Sequence, residues 1–144
     1  MIKLSYRKAL ESDIDYLLWL RKVTMYEYLI NSGTISSETD QLLRINYLFD
    51  KAKIILLNDK NIGLLKLDEK EHIVEIVQIQ IDPKFQGKGI GQQIIKAVID
   101  KSQSDHKEIS LSVLKENPAK ALYLRMGFEI IGQDDTSFMM LYNK

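Results

Sequence analysis

The chain opens on an alternation of apolar and polar residues, Ile2-Lys3-Leu4-Ser5-Tyr6-Arg7, which has the period of a half-buried strand over residues 2–7. The period then lengthens. From Ser12-Asp13 onward Ile14, Leu17, Leu18, Met25 and Leu29 fall near one face of a helix, with Arg21 and Lys22 turned elsewhere, and Asn31-Ser32-Gly33 stops it. A second helix is expected from the cap at Ser36-Ser37 to about Asp50. Leu42, Ile45 and Phe49 form its apolar stripe, and Glu38 and Asp40 place negative charge in its first turn, where the helix dipole favours it.

Strand-like patterning follows. Residues 53–57 are an apolar run, 58–61 (Asn-Asp-Lys-Asn) a turn, and 62–67 the returning hairpin strand, although Gly63 weakens a strand interior. Beyond a charged turn at 68–71, residues 73–81 form a long strand whose polar residues do not keep one parity. Strict alternation puts Glu75 on the face of Ile73 and Gln78 and Gln80 on the other. Either a bulge or a strand covered on both sides accounts for the switch.

Asp82-Pro83 ends that strand. After the turn Gln86-Gly87-Lys88-Gly89-Ile90-Gly91 a helix opens near Ile90, with a stripe of Ile90, Ile94, Ala97 and Val98, and ends between residues 100 and 104. Residues 108–114 are another strand. Asn117-Pro118 supplies a cap and a proline at the first helical position, and the short helix 119–126 stops at Gly127. Residues 128–131 and 138–142 close as a hairpin. The order β-α-α-β-β-β-α-β-α-β-β predicts a mixed α/β domain rather than a regularly alternating one.

At 144 residues the chain is the size of one domain, taken as 1–144. Lys+Arg and Asp+Glu are equal at 20 each, so no global field draws it to nucleic acid. No cysteine is present, which removes disulfides, thiol nucleophiles and thiolate metal sites and agrees with a reducing cytoplasm. No apolar run approaches the roughly 20 residues of a membrane span. His72 and His106 lie in turns without ligand spacing, so no metal is expected.

The glycine turn is where chemistry enters. Glycines at alternate positions leave backbone N–H groups uncovered, and the following helix N-terminus adds partial positive charge, a combination suited to phosphate. Two phosphate motifs fail. The dinucleotide fingerprint G-x-G-x-x-G has Gln92 where its last glycine belongs, and the P-loop requires Ser or Thr where Gly89 stands.

The turn does resemble the Q/R-x-x-G-x-G/A pyrophosphate loop of the GNAT N-acetyltransferase superfamily, preceded by Ile81-Asp82-Pro83 in place of that family's V-x-P. A second block, Asn117-Pro118-Ala119-Lys120-Ala121-Leu122-Tyr123 followed by Gly127-Phe128, is similar to the family's N-x-A-x-x-L-Y-x-x-x-G-F. The two blocks span 73–128, and the element order matches nearly the whole chain. The resemblance implies the GNAT fold: a central, mixed, mostly antiparallel twisted sheet of about seven strands, splayed in the middle, with about four helices.

It also implies an N-acetyltransferase taking acetyl-CoA as co-substrate, as a monomer or homodimer, with no nucleic-acid or membrane partner. The pyrophosphate would rest on N–H groups from Gln86 through Gly87, Lys88, Gly89, Ile90 and Gly91 to Gln92, with Lys88 either adding charge or simply solvated. Pantetheine would pair with the strand backbone at Ile79, Gln80 and Ile81, where an N–H would also stabilise the oxyanion. Asn117 would reach CoA or act only as a cap. Tyr123 matches the family's acid for the leaving thiolate. Reference pKa values of ~10 for tyrosine and ~8.5 for a thiol make full transfer uphill by ~2 kcal/mol, so the site shifts those values or Tyr123 mainly donates a hydrogen bond. Glu75, four residues before Ile79, corresponds to the base of the histone-acetylating branch. Direct attack by an amine in a ternary complex needs that base or a water relay, which Gln78 would orient. The acceptor would be held by residues 23–41 and the hairpin 128–142, which contain Tyr26, Glu27, Tyr28, Glu38 and Asp40, with Tyr47 beside them. A small primary amine is expected; a protein N-terminus or lysine, or a non-catalytic acyl-CoA sensor, are the alternatives.

Overall fold

The computed structural model describes residues 2–31 and 37–143, with the backbone alone for 26–31. Within them the elements follow the expected order: β1 (Ser5–Lys8), α1 (Ile14–Asn31), α2 (Glu38–Asn46), β2 (Ala52–Leu57), β3 (Lys60–Glu69), β4 (Ile73–Ile81), α3 (Ile90–Ser104), β5 (Glu108–Leu114), α4 (Ala119–Met126), β6 (Phe128–Gln133) and β7 (Ser137–Tyr142). One sheet runs β1-β2-β3-β4-β5-β7-β6. Every pairing is antiparallel except that of β4 with β5. This is the mixed sheet that the resemblance implies.

Helices cover both faces, which is why the central strands read as continuous apolar runs. Ile54 of β2 and Leu64 of β3 enter a core with Leu17 and Leu20 of α1 and Ile45 of α2, whereas the adjacent Ile55 and Leu65 enter another with Ile90 and Ile94 of α3. A third core, on the α3 side, joins Ile95, Val98 and Ile99 to β5, Tyr123, Phe128 and Met140. Gly63 is required where it stands, since a Cβ there would collide with the carbonyl oxygen of Gln80 on β4.

Several boundaries move. Only Ser5–Lys8 pair as β1, while Ile2 and Leu4 pack on the α3-side core without a ladder. The expected stop at Ser32-Gly33 and the cap residue Ser36 lie outside the described residues. Ser37 does cap α2: its Oγ accepts the Asp40 N–H at 3.2 Å, and Asp40 Oδ2 accepts the Ser37 N–H at 3.3 Å. Ala97, expected in the α3 stripe, is exposed; Ile95 and Ile99 are buried instead.

Arg21 does turn away from the apolar face of α1, but to a covered side: it is 6% exposed and donates through Nε to Oε1 of Gln41, because α2 packs over that side of α1 and gives the helix a second covered face. The end of α2 has a related cause. The helix stops at Asn46, not near Asp50, and the chain crosses a left-handed Leu48 (φ 51°) into a short 3-10 turn at Phe49–Lys51. Its last carbonyls are taken by a side chain from the sheet: Lys66 of β3, fully buried, donates Nζ to the carbonyl oxygens of Arg44 (3.3 Å), Ile45 (3.0 Å) and Tyr47 (2.5 Å). A cation at a helix C-terminus is favoured by the dipole, and here it also satisfies acceptors that would otherwise be buried unpaired.

Both explanations offered for β4 hold. The strand is covered on each side, and its register against β3 slips between Lys66–Gln78 and Leu67–Ile76, leaving Val77 as the extra residue of a bulge. Glu75, Gln78 and Gln80 thereby share the α1/α2 face, while Ile76, Ile79 and Ile81 share the other.

Lys66→Met removes the donor and leaves the α2 carbonyls unpaired, so it is expected to cost about 3 kcal/mol in urea unfolding at neutral pH. Burial, with the charge of Arg21 adding to it, pushes Lys66 from 10.5 down to about 8. Between those values the unfolded chain holds the proton that the folded chain releases. Stability should therefore rise with pH across that window, and the variant should lack the rise.

Candidate active site

The splay that makes the site begins one residue past Glu75. β4 and β5 pair from Ile73–Glu108 to Ile76–Leu111 and then separate. Farther along, Ile79, Gln80 and Ile81 remain bonded to β3 and have no partner on the β5 side. The opening forms a cavity of about 510 Å³. Ile79, Gln80, Ile81, Gln86, Gly87, Gly89, Ile90, Gly91, Gln92, Asn117 and Tyr123 all line it; of the expected donor-site residues Lys88 alone does not, and it is exposed.

Gly87 (φ +76°) and Gly89 (φ +81°) hold the left-handed dihedrals that glycine tolerates, and a Cβ on either would meet nothing within 4 Å, so the outer surface of the loop is bare backbone. The Gln93 N–H bonds Gly89 O at 3.0 Å, and the N–H groups of the α3 first turn ahead of it are spare by helix geometry. Gln86 departs from expectation. Its N–H is bonded to Pro83 O (3.3 Å) and its side-chain Nε2 donates to Ile81 O (2.9 Å), so it ties the loop to the end of β4 rather than offering its amide.

Across the cavity, Asn117 Oδ1 accepts the Ala119 N–H at 2.9 Å and orders the start of α4. That helix carries Tyr123 to the cavity wall, where its ring meets Phe128 edge-on at 5.8 Å and Phe128 meets Tyr142 at 5.4 Å. Tyr123 is 7% exposed, and burial pushes its phenol up to about 12.

Glu75 sits half-buried at the closed end of the splay, its Cα opposite Asp68 and Ser110. Gln78 reaches Arg44 O through Nε2 at 3.5 Å, and its buried Oε1 has no partner. The side chains of Tyr26, Glu27 and Tyr28 lie outside the described residues. Glu38 and Asp40 are exposed at the start of α2, Glu38 lying 3.7 Å from Lys22, and Tyr47 is 56% exposed. Among the described residues no three His, Asp or Glu side chains gather to hold a metal, and no helix is long and apolar enough to cross a membrane.

Thr24 and Met25 of α1, inside the stretch 23–41 expected at the acceptor, and Leu122 and Arg125 of α4 also line the cavity, though none was named individually as a site residue. Leu122 lies within the second motif block and Arg125 just after it, so spacing on α4 could have found both. No local pattern says which turn of α1 lies over the splay.

Residues 40–138 match the family model described as an acetyltransferase (GNAT) domain. The chain belongs to the GNAT acetyltransferase family. Among curated proteins this GNAT chain is 35% identical over 82 residues to an uncharacterised N-acetyltransferase of Methanocaldococcus jannaschii, covering 51% of the chain and 36% of that protein. It is 29% identical over 72 residues to YqkA of Bacillus subtilis, covering 50% and 21%. The matched stretches thus span only about a fifth to a third of those relatives. Solved structures share the fold. They include the PaiA N-acetyltransferase of Thermoplasma acidophilum in complex with coenzyme A (TM-score 0.73, 17% identity, 99% of this chain and 100% of that one). An acetyltransferase of Thermus thermophilus gives 0.73 at 18% identity over 97% and 96%. Naa50 of Arabidopsis thaliana, bound to a bisubstrate analogue, gives 0.68 at 18% over 99% and 100%.

Because Asn117 caps α4, Asn117→Ala should lower stability by about 1 kcal/mol in chemical unfolding whether or not the side chain also meets a ligand.

Proposed function

We propose that this GNAT domain, residues 1–144, is an acetyl-CoA-dependent N-acetyltransferase of the cytoplasm that acts on the primary amine of a small molecule. The observation that carries the reading is a single cavity in which the open edge of β4, the bare glycine loop and the buried phenol of Tyr123 meet. Coenzyme A complexes of proteins with the same fold support the donor. The residues also fit it chemically. Spare N–H groups between Gly87 and Gln92 suit a pyrophosphate, and the edge of β4 at 79–81 that has no ladder partner toward β5 suits an extended amide-bearing arm.

The thioester supplies a carbonyl carbon and a thiolate leaving group. In the transfer the amine nitrogen bonds that carbon, the carbon–sulfur bond breaks, and the nitrogen gives up a proton. A backbone N–H at 79–81 offers a donor to the developing oxyanion. Glu75 receives the amine proton. About 13 Å of strand separate it from Ile79, so the proton travels through water held on the same face by Gln78. Tyr123 meets the leaving sulfur. With its phenol at about 12 and a thiol at ~8.5, complete proton transfer would be uphill by ~5 kcal/mol, so Tyr123 acts by donating a hydrogen bond.

Tyr123→Phe is expected to lower kcat ~10²-fold with little change in CoA affinity, read as free-thiol release and by calorimetry. Since its phenol stays protonated, kcat in the parent protein should show no loss from Tyr123 ionisation up to pH 10. An unaltered rate in the variant would remove Tyr123 from the chemistry, whereas no thiol release by the parent protein with any amine would favour a non-catalytic acyl-CoA sensor. Glu75→Gln should lower kcat/KM by ~10²-fold while leaving CoA affinity unchanged. If kcat/KM is unaltered, Glu75 has no part in moving the proton.

A further inference from the structure

On the α1/α2 side of the cleft the structure buries positive charge without negative charge. Arg21 is 6% and Lys66 0% exposed, and no carboxylate among the described residues pairs with either. Lys66 is accounted for by the carbonyls at the end of α2. Arg21 is not: among the described residues its hydrogen-bond partner is the neutral amide oxygen of Gln41, and the nearby charges of Arg44 and Lys66 are of its own sign. A buried cation so placed is costly unless something anionic completes it.

Two further atoms are incomplete at the same place. Gln41 is 3% exposed, and because its Oε1 faces the guanidinium its Nε2 points elsewhere as a donor, buried and without a partner. Gln78 Oε1 is a buried acceptor without a partner, on a side chain that leans on the same α2 carbonyl as Lys66. Arg21, Gln41 and Gln78 do not themselves line the cavity, but Arg21 and Gln78 adjoin residues that do. Arg21 is one helical turn before Thr24 and Met25, and Gln78 directly precedes Ile79; all three neighbours line the cavity. Gln78 lies just before the open stretch 79–81, on the side of it away from the glycine loop, where the reacting end of an extended donor would fall. Meanwhile Glu38 and Asp40, which would suit a dicationic amine, are exposed.

We propose that Arg21 and Gln41 Nε2, in the positive field of Lys66 and Arg44, bind a carboxylate of the acceptor, while Gln78 Oε1 accepts a hydrogen bond from its amine. The acceptor is then a small amine that carries an acid group. This rests on the acetyl-transfer reading of the cleft. The reacting bonds are unchanged, and the carboxylate sets where the amine lies.

The test is a set of pairs that differ only in the acid group: leucine with isopentylamine, phenylalanine with 2-phenylethylamine, and a short peptide with a free or amidated C-terminus. With acetyl-CoA saturating, the acid member should be preferred at least tenfold in kcat/KM, chiefly through KM. Preference confined to the peptide pair would place the carboxylate on a peptide terminus and overturn the small-molecule acceptor. Gln41→Glu, close to isosteric and able to pair with Arg21, should bring the preference to near 1 by occupying the guanidinium. Arg21→Met should do the same, and CoA affinity reports that each variant folds. Equal use of both members by the parent protein, or a preference that survives Gln41→Glu, overturns the proposal. If no member is acetylated, thermal shift of the CoA-saturated protein separates the two readings. A rise with the acid members that Gln41→Glu abolishes supports the anion site although transfer fails, and no rise overturns the site as well.

Discussion

One extra residue in β4 sets the geometry on which the site depends. Val77 bulges out between Ile76 and Gln78, at the place where β4 stops pairing with β5. A bulge raises local twist and offsets the alternation of side chains, and both effects are used here. The twist carries residues 79–81 away from β5, so their backbone groups on that edge have no ladder partner. The offset gathers Glu75, Gln78 and Gln80 on the α1/α2 face while Ile76, Ile79 and Ile81 anchor the opposite one in the core under α3. A regular β4 would divide the polar residues between two faces and close the cleft.

The glycine loop and α4 complete the cleft in different ways. The loop contributes uncovered backbone, and its dihedrals at Gly87 and Gly89 are of the kind that a larger residue would strain. Gln86 is the brace that holds it against Ile81. From the other wall, α4 contributes a side chain held by aromatic packing, Tyr123 on Phe128 on Tyr142, so that the phenol reaches the cavity from a rigid base. Its burial pushes the phenol up to about 12, which extends its protonated range beyond that of an ordinary tyrosine.

The opposite face shows how the fold accommodates buried charge. Lys66 leaves a strand flanked by Leu65 and Leu67 and finds its acceptors at the end of α2, which ends the helix there and fixes α2 over β3 and β4. Arg21 is enclosed by the same packing of α2 on α1 and has only an amide for company among the described residues. The two cations raise each other's cost, so the packing that gives this side its shape also leaves it with an unmet preference for an anion.

Local patterns in the chain determined the order of the elements, the limits of β4, β5 and α4, the glycine loop and the block from Asn117 to Phe128, because each rests on contacts within a few residues: alternation, caps, left-handed glycines. They were enough to place the family and to pick out residues 79–81, the glycine loop, Asn117 and Tyr123, which line one cavity. What they could not determine follows from contacts between distant segments. The parity switch in β4 allowed two explanations until β3 was laid beside it. Nothing local marks Arg21 and Lys66 as buried, since burial depends on α2 and the sheet closing over them from 20 residues or more away. Gln86 looks like an amide donor until Pro83 is found to occupy its N–H. Tertiary structure alone decided these points, because hydrogen-bond satisfaction and burial are properties of the packed neighbourhood rather than of the residue.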